Sequence, residues 1–409
     1  MGRSKIASIL NISVKGLMLG LMLVIVGLTK ARDPSSIFLA PGLGWVVFTI
    51  YVGILFINTG LKAKYKFNYF LVIFFLLSVC SLSFGLSLLK SEDILLSANS
   101  FLKFILFFSS IFLIFVFLKK IPRLQIFQEG FTIALLIITI HTLVSFIFPL
   151  PVADDTSTIV LNSDFYRSGR LPTVYGEPSY FGYAVLILSI GIYKLRILRN
   201  NNLGVISLFL SIPALILAGS LICLFVAIIN SFLVISWRRL SINNLFTKLT
   251  LQNTVIYFTI LCFILFSFYN LDFFTGRIYS IINGEDGSTK YRFNAMLLFI
   301  DNMRYINTYL MGLGFFEVKG FPSLKGFYTS SGNVIIATSG IPLLIIYTYI
   351  FFKATGLGVL YIFLYLITLN LQGEPFYPLL SFLLAVSLVL KTYEKNSRNN
   401  IRLPANRIS

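Results

Sequence analysis

Two arginines and a glutamate lie close together in the segment from Asp164 to Gly182, where they could bind and activate a polar substrate. Arg167 and Arg170 each present a fixed fork of N–H donors that matches the oxygens of a phosphate. Glu177 stands just before Pro178, and proline is favoured in the first turn of a helix because its missing N–H has no partner there. The Glu177 carboxylate would then lie at the positive end of the helix dipole.

Two interpretations of this segment stay open on the residues alone. In the first, the cluster binds a diphosphate or a sugar. In the second, Glu177 and Ser179 only cap the helix, and the arginines only contact lipid phosphates. The tyrosines of the segment either stack on sugar rings or anchor the chain at a membrane surface, where tyrosine is common; they are Tyr166, Tyr175 and Tyr180.

The sequence predicts neither a metal site nor a cofactor site. Its three cysteines are scattered through apolar runs with neither metal-ligand spacing nor a disulfide framework; they are Cys80, Cys223 and Cys262. The adjacent acids at 154–155 and 285–286 do not form the Asp-x-Asp motif of nucleotide-sugar enzymes. The one histidine, His141, stands within an apolar run, where we expect a hydrogen bond to a neighbouring helix.

Composition decides which kind of scaffold holds these residues. Of 409 residues, 57% are hydrophobic and 12% are charged, against roughly 25% charged in an average soluble domain. The apolar residues come in repeated runs of about twenty, the length that crosses the hydrocarbon of a bilayer. A soluble globular fold is therefore excluded, and the sequence predicts an all-α, polytopic membrane protein forming a single transmembrane domain over 1–409.

About twelve transmembrane helices are expected. They lie at about 12–29, 37–58, 68–89, 101–118, 130–149, 179–193, 203–218, 220–236, 252–270, 333–352, 356–372 and 375–390. The run from 203 to 236 is divided into two helices because Gly219-Ser220 would make a tight external turn. The first run has no small-residue cleavage site, so we expect an uncleaved anchor and not a signal peptide.

The distribution of charge orients the chain. With the N-terminus inside, the cytoplasmic segments hold 20 Lys and Arg residues and 2 Asp and Glu residues. The opposite side holds 11 Lys and Arg residues and 13 Asp and Glu residues. Because Lys and Arg are retained on the cytoplasmic side, both termini are predicted to be cytoplasmic, in the bacterial inner membrane. The formal charge of +18 reflects this bias, and no nucleic-acid-binding motif accompanies it.

Two long external loops stand out among short connections, at 150–178 and 271–332. Long loops between elements are usually functional. Both are expected to contain short helices lying along the membrane interface, and the mixture of apolar and charged residues at 290–310 is typical of one.

The string YRSGRLPTVYGEPSYFG at 166–182 resembles the R-x-x-G … E-P-S segment of the superfamily of O-antigen polymerases (Wzy) and O-antigen ligases. The resemblance continues through Ala218-Gly219-Ser220 and covers roughly 160–350; its remaining pieces are 288–292, 311–315, Asn333 and 338–342. It implies a glycosyltransferase that joins undecaprenyl-diphosphate-linked oligosaccharides of a surface glycan such as lipopolysaccharide. The expected partners are those glycolipids, membrane lipids and a chain-length regulator protein.

In such a reaction a sugar hydroxyl of one repeat unit attacks the anomeric carbon of the growing glycan, and undecaprenyl diphosphate leaves. The resemblance therefore implies a cationic clamp for the diphosphate, and each unit charge pair at about 4 Å contributes up to about 4 kcal/mol at an effective dielectric near 20, before desolvation. The expected catalytic residues are Glu177, Arg167, Arg170 and Arg292, and the expected substrate-binding residues are Arg304, Tyr175, Ser179, Tyr180 and Tyr166. They lie on two external loops that can converge over one cavity. Glu177 would act either as general base or as the partner of an arginine.

Departures from the pattern favour polymerase over ligase. Ligases carry a histidine in the second loop, and the corresponding stretch here, 329–333, has none. A second departure concerns the short turn, where the superfamily often has Ser-Arg: Ser220 is followed by Leu221, so no arginine is carried over to that turn. A lipid-linked oligosaccharide flippase is the alternative of another class, but flippases keep their charges inside the spans, and the arginines here lie in loops.

Overall fold

The predicted all-α class is confirmed for the part of the chain that the structure describes. A computed structural model describes residues 13–27, 43–59, 85, 94–118, 121–147, 178–196, 202–237, 275, 279, 282–283, 331–370 and 376–401. Within these ranges it contains ten helices of twelve residues or more and no strand.

Each of these helices coincides with one predicted span. In chain order they are α1 (Val14–Gly27), α2 (Leu43–Thr59), α3 (Ile94–Phe117), α4 (Ile121–Ile147), α5 (Pro178–Leu195), α6 (Asn202–Leu217), α7 (Leu221–Trp237), α8 (Ser331–Thr355), α9 (Val359–Asn370) and α10 (Pro378–Ile401). The predicted spans at 68–89 and 252–270 lie outside the described residues, apart from the helical Gly85.

Several boundaries differ from prediction because an apolar run marks only the part of a helix that is apolar. Helix α3 begins at Ile94, α4 begins at Ile121, and α10 continues through charged residues to Ile401. Of the two long loops, the described residues include only Thr275, Tyr279, 282–283, the first residue of α5 and the first two residues of α8. The predicted interfacial helix at 290–310 lies outside them.

The structure supports membrane crossing for one helix by length and composition. Among the described residues, Arg123–Phe146 of α4 is long and apolar enough to cross a bilayer, and nine shorter apolar helices of 10–17 residues accompany it. The expected number of twelve spans is therefore not established.

The chain divides into two compact units. The first comprises 1–48 and 121–289, and the second comprises 49–120 and 290–409. In the first unit α4 packs on α1, α5 and α6, while α5, α6 and α7 pack on one another. In the second, α10 packs against α3 and α8, and α8 packs against α9.

Glycines allow α1 to lie unusually close to α4. A Cβ atom on Gly20 would lie 2.7 Å from the Ile133 side chain and 3.1 Å from the Gly130 carbonyl oxygen. A carboxylate of α4 also holds the start of α1: the Ser13 N–H and hydroxyl donate to Glu129 Oε2 at 3.1 and 2.5 Å. Small residues at the contact are typical of closely packed helices in membranes. The contact at Gly20 therefore fixes where α1 lies on α4.

We expect Gly20→Ala to destabilise the protein by about 1–3 kcal/mol, because the added methyl overfills a packed interface. The matched control is Gly53→Ala in α2, where an added Cβ meets nothing within 4 Å. That change should stabilise by about 0.5–1 kcal/mol, since alanine favours a helix interior over glycine. Thermal unfolding in detergent measures both variants. A Gly20→Ala protein as stable as Gly53→Ala would show that α1 and α4 are not this close.

The predicted division of the run at 203–236 is confirmed. Helix α6 continues through Pro213 and ends at Leu217, and α7 begins at Leu221. Gly219 has φ 64°, a left-handed conformation that glycine adopts without strain. A buried hydrogen bond of 2.7 Å from Asn230 Nδ2 to Ser211 Oγ joins the two helices. They therefore form a hairpin rather than one tilted helix.

Aromatic rings fill the core of the second unit. Phe107 lies 5.7 Å from Phe376 and 6.2 Å from Tyr347 between ring centroids, and all three residues are buried. These contacts join α3, α8 and the short segment just before α10. Aromatic pairs in this range contribute about 0.5–1.5 kcal/mol beyond the area they bury.

Candidate functional site

Only two of the nine predicted site residues lie in the described part of the chain, Ser179 and Tyr180. The other seven lie outside the described residues and therefore remain predictions: Glu177, Arg167, Arg170, Arg292, Arg304, Tyr166 and Tyr175. The site is therefore built here from the helix that follows the cluster and from the elements packed around it.

Helix α5 begins at Pro178, as the sequence predicts from the Glu-Pro-Ser pattern. Ser179 is half-buried, and Tyr180 is only 3% exposed. A tyrosine this deeply buried contacts protein rather than solvent, so the geometry favours packing over sugar stacking for Tyr180. Nearly every following side chain of α5 is also buried, and the helix provides a rigid base for the segment that precedes it.

The start of α5 packs against the start of α7, just after the turn that joins α6 to α7. A Cβ on Gly182 would lie 3.0 Å from Cys223 Sγ and 3.2 Å from Ile222. The Cys223 thiol also lies within hydrogen-bonding reach of the Gly182 backbone and of Ser220. Two pieces of the sequence pattern, the Glu-Pro-Ser segment and Ala218-Gly219-Ser220, thus meet at one end of the first unit.

Buried hydroxyl and amide groups lie deeper between the same helices. Ser189 stands seven residues after Gly182 on α5, and Asn230 stands seven residues after Cys223 on α7, so each lies two turns farther along the same face. Ser189 Oγ and Asn230 Oδ1 are fully buried and have no hydrogen-bond partner among the described residues. The contact between α5 and α7 is therefore polar in its interior.

The far ends of α5 and α7 carry a cation and aromatic rings. The Arg196 guanidinium lies 3.6 Å from the centre of the Tyr193 ring and 5.8 Å from that of Trp237. The hydroxyls of Ser236 and Tyr193 are 3.1 Å apart. Since Gly182 meets Cys223 at one end and Tyr193 meets Ser236 at the other, α5 and α7 run parallel.

In the second unit, the end of α8 and the C-terminal half of α10 carry lysines in a comparable setting. Lys353 Nζ donates to the Tyr349 hydroxyl at 2.6 Å, and Lys391 Nζ donates to the Lys353 carbonyl at 3.0 Å. All three side chains are at least partly exposed, so the amines stay close to solvent.

His141 lies in α4 and is partly buried. Its Nδ1 atom is buried and has no hydrogen-bond partner among the described residues. The expected hydrogen bond to a neighbouring helix is therefore not observed at Nδ1.

Sequence reasoning missed a break inside α8. Gly340 has φ 77° and ψ −179° within the helix that runs from Ser331 to Thr355, and Pro342 follows two residues later. The preceding residue, Ser339, is 1% exposed, and its hydroxyl has no hydrogen-bond partner among the described residues. A proline inside an apolar run was the available signal, but it does not show where the backbone breaks.

No group of three or more His, Cys, Asp or Glu residues that could hold a metal ion occurs within the described ranges. The predicted adjacent acids at 154–155 and 285–286 lie outside those ranges.

No protein family, curated protein or solved structure matches the chain.

Proposed function

We propose that this chain is a polytopic protein of the bacterial inner membrane that polymerises undecaprenyl-diphosphate-linked repeat units on the periplasmic face. The product would be a surface polysaccharide such as the O-antigen of lipopolysaccharide. The observation that carries the proposal is the start of α5 at Pro178, packed by Gly182 against the start of α7. It agrees with the Glu-Pro-Ser pattern and sets the arginine and glutamate segment directly before a rigid, buried helix.

Exposed apolar faces support the membrane part of the proposal. Large apolar side chains are exposed along several of the helices. A water-soluble protein covers large apolar patches, whereas lipid favours them. Examples from four helices are Val14 and Met18 of α1, Ile50 and Ile57 of α2, Phe225 and Phe232 of α7, and Val359 and Leu366 of α9.

The cationic ends of the helices support the proposed orientation. Charge counting puts the ends of α5, α7 and α8 and the C-terminal half of α10 on the cytoplasmic side, together with Arg196, Lys353 and Lys391. There Arg196 lies against Tyr193 and Trp237, and Lys353 contacts Tyr349. Aromatic residues beside Lys and Arg are typical of a membrane–water interface. The opposite end of α5, which follows Glu177, would then face the periplasm.

The proposed reaction transfers a glycan from a diphosphate to a hydroxyl. The acceptor hydroxyl oxygen bonds to the anomeric carbon, the bond from that carbon to the diphosphate breaks, and undecaprenyl diphosphate leaves with the bonding electrons. Arg167, Arg170 and Arg292 would stabilise the charge that develops on the diphosphate. Glu177 would either accept the hydroxyl proton or hold an arginine, and Arg304, Ser179, Tyr166 and Tyr175 would contact substrate.

O-antigen ligase and flippase are the alternatives to a polymerase, and a mutant lacking this protein distinguishes them from it. We expect such a mutant to carry surface glycan reduced to one repeat unit, because flipping and ligation still operate without polymerisation. A mutant with no surface glycan at all would instead support a ligase or a flippase. Complementation with the intact gene, followed by gel analysis of glycan length, completes the experiment.

The orientation has its own test by cysteine labelling. Cysteine introduced at Ser163 or Ser323, one in each long loop, should react with a membrane-impermeant thiol reagent added to the periplasmic side. Ser241→Cys, in a segment predicted to be cytoplasmic, is the matched control and should react only after the inner membrane is opened. Labelling of Ser163→Cys or Ser323→Cys only under that second condition would contradict the proposed topology.

A further inference from the structure

The break in α8 makes the start of a new helix in the middle of an apolar segment. Gly340, with φ 77° and ψ −179°, occupies a region of conformational space that is essentially restricted to glycine. The helix from 341 to 355 therefore begins with a residue that has no side chain to cap it. Its first turn includes the N–H groups of Ile341 and Leu343, while Pro342 has none. These N–H groups carry the positive end of the helix dipole, which binds anions.

Ser339 adds a buried hydroxyl beside this helix start. Ser339 is buried, as are Ile335 one turn before it and Leu343 and Tyr347 after the break. Its hydroxyl has no hydrogen-bond partner among the described residues, although an unpaired polar group in a protein interior is unfavourable. Alanine would fill the same position without that penalty. A group bound at the break would supply the hydrogen-bond partner that this hydroxyl lacks.

The position of the break indicates how a ligand would reach it. Gly340 precedes Lys353 by thirteen residues, or about 20 Å of helix at 1.5 Å per residue. If Lys353 marks the cytoplasmic boundary of a hydrocarbon layer about 30 Å thick, the break lies about 10 Å below the periplasmic boundary. The new helix start then faces the periplasm. Exposed backbone groups at this depth are tolerated only where protein, water or a ligand pairs with them.

We infer that the break at Gly340 and the Ser339 hydroxyl bind a phosphate group of the isoprenyl diphosphate carrier. This inference rests on the proposed function and adds to it a site outside the two long loops. A phosphate supplies both features that the break requires, since its oxygens accept hydrogen bonds from backbone N–H groups and from the serine hydroxyl, and its charge is stabilised by the helix dipole.

The second unit offers a matched control for Ser339. Ser387 in α10 is also fully buried, and its hydroxyl likewise has no hydrogen-bond partner among the described residues. It lies within an unbroken part of its helix. Ser339→Ala and Ser387→Ala each remove one buried hydroxyl, so both variants should unfold at the same temperature as the wild type or above it.

Binding of radiolabelled farnesyl diphosphate to the purified full chain in nanodiscs tests the inference. One set of discs contains phosphatidylcholine alone, and the other also contains phosphatidylglycerol. We expect Ser339→Ala to bind about tenfold more weakly, the effect of losing one hydrogen bond to a charged group, while Ser387→Ala stays within about twofold of the wild type. The difference should be the same in both kinds of disc.

The other outcomes separate this inference from the proposed function. Equal binding by the wild type and both variants, or equal weakening in both, would overturn the site at Gly340 and leave the polymerase proposal standing. A Ser339→Ala defect seen with phosphatidylcholine alone and absent with phosphatidylglycerol present would show that the anionic phospholipid occupies the site, and would overturn the carrier assignment. A wild-type protein that binds no farnesyl diphosphate in either disc would contradict both proposals.

Discussion

Replacing Arg167, Arg170 or Arg292 by lysine is expected to shorten the surface glycan sharply, with polymerisation slowed roughly 10- to 100-fold in each variant. Lysine keeps the positive charge but presents a compact ammonium group, which cannot reproduce the two parallel hydrogen bonds of a guanidinium fork to a phosphate. The loss should be greatest in the transition state, where charge builds up on the departing diphosphate. Glycan length in cells that express each variant at normal level is the measurement.

Arg196→Lys is the matched control for these substitutions. Arg196 contacts Tyr193 and Trp237 rather than a predicted substrate, and it lies at the end of α5 opposite to Pro178. Lysine there should weaken a cation–π contact by about 0.5–1 kcal/mol at most and leave glycan length unchanged. If all three loop variants gave wild-type glycan, the proposed diphosphate clamp would be wrong.

Sequence reasoning predicted the helices well because each one is a long apolar run, and such runs leave few alternatives to a helix. The hairpin of α6 and α7 was also predictable, since Gly219 offers the left-handed conformation that the turn uses. The starts of α3 and α4 and the end of α10 were not predictable, because the polar residues there leave the apolar pattern of each helix unchanged. Likewise, the bond from Ser13 to Glu129 joins residues far apart in sequence and depends on how two helices pack.

The candidate site was predictable only where a local rule decides the structure. Pro178 marks the start of α5 because proline fits the first turn of a helix. The break at Gly340 depends on one backbone conformation that the neighbouring Pro342 does not determine, and the lack of a described partner for Ser339 depends on neighbouring helices. Neither feature can be deduced from residue types and spacing. In the sequence, Ser339 and Gly340 therefore stood out only as part of the resemblance at 338–342.

Glu177 is expected to be essential for the rate of polymerisation but not for folding, and the Glu177→Gln variant tests this. If Glu177 only caps α5, glutamine keeps an oxygen that accepts hydrogen bonds, and a lost cap costs only about 1 kcal/mol. If it is a general base, glutamine cannot accept a proton, and the rate should fall about 10²- to 10⁴-fold. If it holds an arginine, the lost charge should slow the reaction less than this. We expect normal folding and substrate binding with polymerisation at least about tenfold slower.

Glu129→Gln supplies the comparison, because Glu129 is a glutamate that does hold a helix start, accepting hydrogen bonds from the Ser13 N–H and hydroxyl. Its glutamine variant should lose little activity, and the loss shows what removing a structural carboxylate does in this protein. A purified-enzyme assay with lipid-linked repeat units gives both rates. Glu177→Gln activity within about threefold of the wild type would remove Glu177 from the chemistry. A deficit that recovers at higher pH would identify it as the base, since hydroxide can then take the acceptor proton, whereas a deficit that persists at every pH would identify it as the partner of an arginine.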